Sequence, residues 1–477
     1  MSSLSAWFLS ADDVGWALQD EEIVKMRLCA ALYAGWVLAS PAVALGEEGV
    51  LRPFLNDICV PSTLWMLSDS QNDIFVKPLI KRWRPYDDYV RFEIDNGQGK
   101  FFRRLSTVAS VDRPRDGMVL QVSLVNGDEF KVLKRIESRV RVGERGVGDK
   151  DVFAQIVGDS FTYGCFFKDA LLASGAVPRL HLVGLRKCAE GQYCEGRGGW
   201  SLNSYFQVSK TDHDPYHGFL HPKEGRYWGS RAFWKMAWRC VRGTQPPGFR
   251  PKYSCDRYHD YVGRFDESSG VLLNPGVGDA QFDNDQGHMV RFDGTAWRVV
   301  DENALSWSFD YGKYLAMWKI VPPQFLFVML GLNDFKSNLS ADFSGWEGQI
   351  RMFKESYKKA CPLGKFVICI PCSTCGSIDN AAGKFTPMHN AAMWRFRDWL
   401  IKTFDGREED GFYLLDTGVA IDDDYGYDLE TGPVAVPFAQ YKGEERLRVQ
   451  RNNPHPYPSY PSMGVPIAAF IQYFRGR

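Results

Sequence analysis

Four short stretches carry residue types that can act as nucleophile, anion-binding donors or base. Gly158-Asp159-Ser160 follows the apolar run VFAQIVG. A serine where a buried strand ends and a helix begins has its hydroxyl at the ligand edge of a sheet, with its backbone N–H facing a developing anion. The same serine also serves as an ordinary helix cap. Glu195-Gly196-Arg197-Gly198-Gly199-Trp200-Ser201 is the second stretch. Bare glycines permit close approach of a substrate and free an N–H to point at it, or simply make a flexible loop. The stretch lacks the lysine of a P-loop and does not match G-x-G-x-x-G, which argues against nucleotide binding. Gly331-Leu332-Asn333-Asp334 follows FLFVML, and a side-chain amide there can donate to an oxyanion or sit in a plain turn. The last is His455 in Asn452-Asn453-Pro454-His455-Pro456, a general base near neutral pH if it faces the others, and a surface histidine if it stands alone.

The elements around these stretches must bring them together. From about residue 152 the pattern alternates strands with helices: VFAQIVG, RLHLVGL, FLFVMLGL and KFVICIPC read as buried strands. FKDALLASG, WEGQIRMFKESYKKAC, HNAAMWRFRDWLIKTF and the closing VPIAAFIQYF read as helices. That alternation predicts an α/β fold with a mostly parallel sheet, whose ligands bind beyond the C-terminal strand ends. A long insertion, about 203–310, separates the second and third strands and is expected to shape specificity. Residues 75–145 read instead as a small antiparallel β unit, with DNGQG and NGDE as turn signals. Residues 1–70 read as mostly helical, and GERGVGDKD, 143–151, as a charged, glycine-rich linker.

Composition limits the alternatives. The 477 residues carry 57 Lys and Arg against 58 Asp and Glu, a net charge of −1, which gives no support for nucleic-acid binding or a polybasic lipid-facing surface. A 45% hydrophobic and 24% charged chain is globular rather than disordered. Aromatics reach 14%, many of them in the insertion, and large flat side chains serve cores, interfaces and ligand grooves alike. The 11 cysteines, an odd number, favour folding in a reducing compartment over a secreted disulfide framework. Residues 28–45 form an uncharged run behind Lys25 and Arg27. Gly35 and Pro41 interrupt it, so it reads as a buried helix starting near Asp20, not as a membrane span or a leader.

Two clusters invite a metal reading. His213, His217 and His221 are spaced by four, but Pro215 and Gly218 break the helix that would align them. Cys369, Cys372 and Cys375 overlap the apolar FVICI and have no fourth cysteine nearby, so they read as a strand end. No metal or other cofactor is expected.

Taken in order, the four stretches resemble the blocks of the SGNH or GDSL hydrolases over roughly residues 152–477. Gly158-Asp159-Ser160 with Phe161-Thr162-Tyr163-Gly164 matches the first block, Gly199 (with Gly198 as rival) the second, Gly331-Leu332-Asn333-Asp334 the third and His455 the last. The resemblance implies a flavodoxin-like three-layer sandwich for residues 151–477, with Ser160 as nucleophile and His455 as base. It implies an oxyanion hole of the Ser160 and Gly199 N–H groups and the Asn333 amide. Asn452 stands where the family usually has aspartate, three residues before the histidine; Asp422, Asp423 or Asp424 could take that place in space. An amide orients an imidazole but stabilises an imidazolium far less than a carboxylate does.

The implied activity is ester hydrolysis. EGRGGWS and the Trp- and Tyr-rich insertion resemble the carbohydrate-esterase side of the family, so the expected substrate is an O-acetylated or otherwise short-acylated glycan. A lipase or acyl thioesterase is the alternative. Another is a catalytically weak binding module of a phage tail or cell-surface assembly, folded in cytoplasm and acting outside as a virion component. Residues 1–150 are then an accessory docking region for protein assembly.

Overall fold

The computed structural model describes residues 58–75, 77–79, 90–95, 108–111, 113–126, 132–165, 167–173, 175–211, 216–244, 257–372, 387–421, 426–433, 445–449 and 455–476. The apolar run at 28–45 lies outside them, as do His213, Cys375, Asp422, Asp423, Asp424 and Asn452. Among the described residues no helix is long and apolar enough to cross a membrane.

Six strands come first: β1 (Thr63–Leu67), β2 (Asn72–Phe75), β3 (Val90–Asp95), β4 (Val108–Val111), β5 (Val119–Asn126) and β6 (Val132–Gly143). One sheet has the order β1-β6-β5-β3, antiparallel except that β1 runs parallel to β6, and β2 pairs with β4. Strand β1 corrects the helical reading of its neighbourhood. Its run TLWML is almost wholly buried, and a short buried apolar run has no periodicity that separates helix from strand.

The next strands are β7 (Val152–Gly158), β8 (Leu180–Leu182), β9 (Arg186–Ala189) and β10 (Gln192–Gly196). The insertion contributes β11 (Leu220–Pro222), β12 (Tyr227–Ser230), β13 (Ala280–Asp283), β14 (His288–Phe292), β15 (Trp297–Val300) and β16 (Trp307–Phe309). Then come β17 (Phe325–Met329), β18 (Lys365–Ile370) and β19 (Phe412–Asp416). The described helices are α1 (Ser160–Tyr163), α2 (Arg231–Arg242), α3 (Tyr311–Trp318), α4 (Leu332–Phe335), α5 (Ser344–Ala360), α6 (Pro387–Phe404) and α7 (Tyr460–Arg475).

The main sheet has the order β19-β18-β17-β7-β10-β9, with β8 also on β7. All its pairs are parallel except the β9–β10 hairpin. One edge of β7 is served by two strands in succession. β8 pairs with Val152–Ala154, and β10 pairs with Val157 and Gly158. The run RLHLVGL is therefore only half of the second strand position; a hairpin intervenes before the glycine block. Because β7 lies inside the sheet, the winding reverses between β7 and β17, where a ligand crevice opens in folds of this kind.

Helices cover both faces. Phe325 and Phe327 of β17 and Tyr413 of β19 meet Phe470 of α7 on one face. Phe366 of β18 meets Phe353 and Tyr357 of α5 on the other, while Phe412 meets Phe404 of α6. The alternation follows from the strand pleat.

The β1–β6 sheet is fixed to the same body. The Trp65 ring packs on Phe470, Tyr473 and Phe474 at centroid distances of 4.6, 5.2 and 5.7 Å. Its indole N–H donates to Leu414 O. The stretch read as a linker is pinned as well: Gln472 Nε2 reaches the carbonyls of Glu144 and Val147, and Arg475 that of Lys150.

The insertion extends the core of the main sheet, meeting it at Trp318 of α3. Trp228, Trp234 and Trp318 are fully buried, and Trp234 stacks on Phe265 at 3.6 Å. Most of the aromatic surplus is thus core, because a four-stranded sheet (β12 to β15) and α2 need a hydrophobic filling. Cys165 and Cys188 form a disulfide, which the odd cysteine count did not reveal. Cys369 and Cys372 are buried at the end of β18, as the apolar run implied.

Trp65→Ala should lower stability by about 3–5 kcal/mol, the usual cost of emptying a large aromatic site. Urea denaturation checks this; a loss below about 1 kcal/mol would mean that the β1–β6 sheet is not held through this ring.

Candidate functional site

The site grows from the end of β7. Asp159 caps α1, its Oδ1 accepting from Phe161 N at 2.9 Å, and this turns the chain so that the half-buried Ser160 opens the helix. In parallel register, Gly196 of β10 lies opposite Gly158. Gly158 O accepts from Arg197 N at 2.9 Å and from Tyr205 Oη at 2.8 Å. Tyr205 Oη also lies 2.6 Å from Glu195 O, so one phenol bridges the ends of two neighbouring strands.

The second block is not the open loop that its glycines imply. Glu195 and Arg197 are buried and paired at 2.7 Å. Arg197 also donates to Tyr258 Oη, and Glu195 accepts from Leu185 N and Tyr314 Oη. Burial pushes the Glu195 carboxyl up, against the pull of Arg197 and its hydrogen bonds. Only Gly198 and Gly199 are exposed, in a turn closed by Trp200 N donating to Arg197 O. Gly199 has φ +82°, a conformation that excludes most side chains, whereas Gly198 does not share it.

The third block ties the first two together. Gly331 has φ +121°, and a Cβ there would fall 2.1 Å from Phe396 Cε1, so only glycine allows α4 to start at this point. From α4, Asn333 Nδ2 donates to Trp200 O at 3.0 Å and lies 3.4 Å from Asp159 Oδ2. Asp334 accepts from Leu202 N at 3.0 Å. Lys336 donates to Asn333 Oδ1 at 2.9 Å and so sets which way the amide faces.

His455 comes from the start of the C-terminal segment. Its half-buried ring sits edge-on to Phe161, the residue after Ser160, at 5.6 Å, and stacks with Tyr457 at 5.5 Å. Burial and then the Lys336 charge hold its pKa below the ordinary histidine value. The contacts of Asp159, Trp200 and Phe161 thereby bring Ser160, Gly199, Asn333 and His455 into one neighbourhood. Asn452 lies outside the described residues.

Sequence reasoning missed Tyr205, Lys336 and the Glu195–Arg197 pair. Lys336 had a signal, since residues three apart on a helix are neighbours. The others depend on contacts distant in sequence. The histidine cluster is structural where it is described. His217 lies 3.0 Å from Gln207 O, His221 accepts from Tyr227 N, and burial lowers both to about 3. The sulfurs of Cys165, Cys188 and Cys194 lie close together, but two of them form the disulfide.

No protein-family model matches the chain, and no curated protein matches it. Among solved structures it is similar to a possible lipase from Chitinophaga pinensis. The two are 10% identical over 68% of this chain and 99% of that one, with a TM-score of 0.29. Two other crystal structures match at 14% and 12% identity, with TM-scores of 0.26 and 0.25. They cover 69% and 67% of this chain and 100% and 95% of their own. Scores of this size carry no argument about the site.

Burial, followed by the hydrogen bond that lowers it and the Asp334 charge that adds to it, raises Asp159 to about 7, and burial raises Asp334 to about 6. Between its ordinary value of 3.8 and about 7, native Asp159 holds a proton that the unfolded chain has lost. Stability should therefore fall as pH rises through that window, by up to about 1.4 kcal/mol per unit. Asp159→Asn, which can keep the cap, should flatten the profile. Urea midpoints at pH 5 and pH 8 test this; equal slopes in both proteins would refute it.

Proposed function

We propose that the chain is a serine ester hydrolase of the SGNH type that removes O-acetyl or other short acyl groups from a glycan. The observation that carries the reading is the convergence of four sequence-distant blocks at the end of β7, next to the point where the sheet winding reverses. The strand order, with the first strand inside the sheet and helices on both faces, supports the flavodoxin-like sandwich that this family implies.

In this reading Ser160 Oγ attacks the ester carbonyl as His455 accepts its proton. The tetrahedral oxyanion is met by the N–H groups of Ser160 and Gly199 and by the Asn333 amide. His455 returns the proton to the departing sugar alcohol, and water then releases the acid from the acyl-enzyme. To take this role Asn333 turns one N–H from Asp159 Oδ2 to the oxyanion, while Trp200 O and Lys336 hold the rest of the amide. Asn452 orients the imidazole with an amide rather than a carboxylate. Residues 1–150 serve as an accessory region that attaches the hydrolase part, 151–477, to a larger assembly.

Ser160→Ala and His455→Ala should each lower kcat on p-nitrophenyl acetate by about 10³-fold or more. Equal turnover in wild type and Ser160→Ala would sink the assignment.

The base must be neutral to act, and Lys336 helps to keep His455 neutral. Lys336→Met should thus move the acid limb of the kcat/KM profile to higher pH, toward the ordinary histidine value. An acid limb that stays in place would show that His455 does not set it.

A further inference from the structure

We infer that a groove of about 770 Å³ beside Gly199 is a subsite for a neutral, polyhydroxylated chain: sugar rings of the same glycan that carries the scissile ester. The inference rests on the esterase reading above and names where its substrate lies. The turn Gly198-Gly199-Trp200 lines the groove, so the groove and the candidate oxyanion site share these residues. Its volume is far larger than a short acyl group needs and falls in the range of ligand sites.

Residues 207–211, which also line the groove, form a strap that is neither strand nor helix. Four side chains of the insertion hold its carbonyls instead. His217 Nε2 lies 3.0 Å from Gln207 O, and the Tyr227 hydroxyl donates to Ser209 O at 2.6 Å. Asn284 Nδ2 donates to Lys210 O at 2.7 Å, and Ser230 Oγ to Thr211 O at 3.0 Å. His217, Tyr227 and Ser230 are themselves buried. Buried polar groups spent on an irregular strap fix its shape before any ligand arrives, which removes the ordering cost from binding. This also gives His217 a purpose that metal binding does not.

The lining states the ligand chemistry. Gln207 presents its amide at an exposed position, and a long alkyl chain would cover that polar group at a cost. Phe206 and Trp307 add aromatic surface, and both are only partly buried. The Phe206 ring is backed by Phe309 at 4.6 Å, and the Trp307 indole N–H is tied to Glu302 O at 3.1 Å. Among the lining residues the one cation, Lys210, is ion-paired to the one anion, Glu302. A groove that neutralises its own charges selects a neutral glycan over a uronate or phosphate polymer.

The test uses full-length protein and three neutral O-acetylated oligosaccharide probes, built on xylose, mannose and N-acetylglucosamine. Binding is measured by calorimetry in the Ser160→Ala background, so that no turnover occurs. At least one probe should bind, and Trp307→Ala should weaken it about five- to tenfold. Gln207→Ala, at an exposed position, should weaken it about two- to fivefold and carries the test if the Trp307 variant melts early. In the active protein the loss of kcat/KM on the oligosaccharide should exceed that on p-nitrophenyl acetate by about fivefold. Binding of none of the probes overturns the inference, as does an equal loss on both substrates. So does tight binding of a long-chain acyl ester that Trp307→Ala abolishes. If Ser160→Ala leaves hydrolysis intact while Trp307→Ala still weakens glycan binding, the esterase assignment fails and the groove stands.

Discussion

A parallel sheet must satisfy the carbonyls at its C-terminal ends, and here that requirement organises everything around it. Beyond Gly158 the chain turns into α1 and offers no further strand, so Gly158 O takes donors from outside: Arg197 N and the Tyr205 hydroxyl. A buried carbonyl without donors is costly, so these contacts determine where the loop after β10 runs. Once Arg197 N is held, the turn to Trp200 follows, and Trp200 O becomes the acceptor for Asn333. The Arg197 side chain must then be buried. Its pairing with Glu195 makes that tolerable, and losing one partner of such a pair typically costs about 3–5 kcal/mol.

The insertion does two things with its aromatic residues. Its fully buried tryptophans and Phe265 make a hydrophobic filling that lets β12 to β15 and α2 stand as a unit on the main sheet. Tyrosines supply hydroxyls where the same filling meets backbone: Tyr258 donates to Tyr216 O, Tyr261 to Trp318 O and Tyr227 to Ser209 O. A large ring with a polar tip suits that work, since it adds apolar area and still satisfies a buried carbonyl. High aromatic content therefore reflects an irregular, loop-rich insertion more than a ligand surface, and few rings remain for the groove.

The four chemical blocks were legible because each joins a residue type to an element boundary. VFAQIVG before Ser160 and FLFVML before Asn333 are strands on apolarity alone. The glycine block was harder, because RLHLVGL looks like a complete strand while β8 ends at Leu182 and β10 finishes the edge of β7. Nothing in local pattern tells a strand from half of one. Likewise TLWML carries no period that marks it as β1, and its parallel pairing with β6 joins positions about 75 residues apart. The disulfide, the Glu195–Arg197 pair and the donors behind the 207–211 strap are all products of topology, which a linear reading does not supply.

Burial near Ser160 favours the neutral forms of its two carboxylic acids and of His455. Burial raises Asp159 and Asp334, and burial with Lys336 lowers His455. In the esterase reading proposed above, a neutral His455 is the form that accepts a proton, so the proposed base stays available toward acid. In that reading the same environment makes the proposed base weaker, since an imidazolium beside Lys336 is disfavoured. The balance then falls on the oxyanion: if proton acceptance is made harder, stabilising the negative centre must contribute more. Lys336 fits that division, because the cation that opposes an imidazolium favours an oxyanion and at the same time orients the Asn333 amide. In the proposed reading, such a trade removes the need for a strong aspartate–histidine pair, provided that the hydrogen-bond donors are fixed before the substrate arrives.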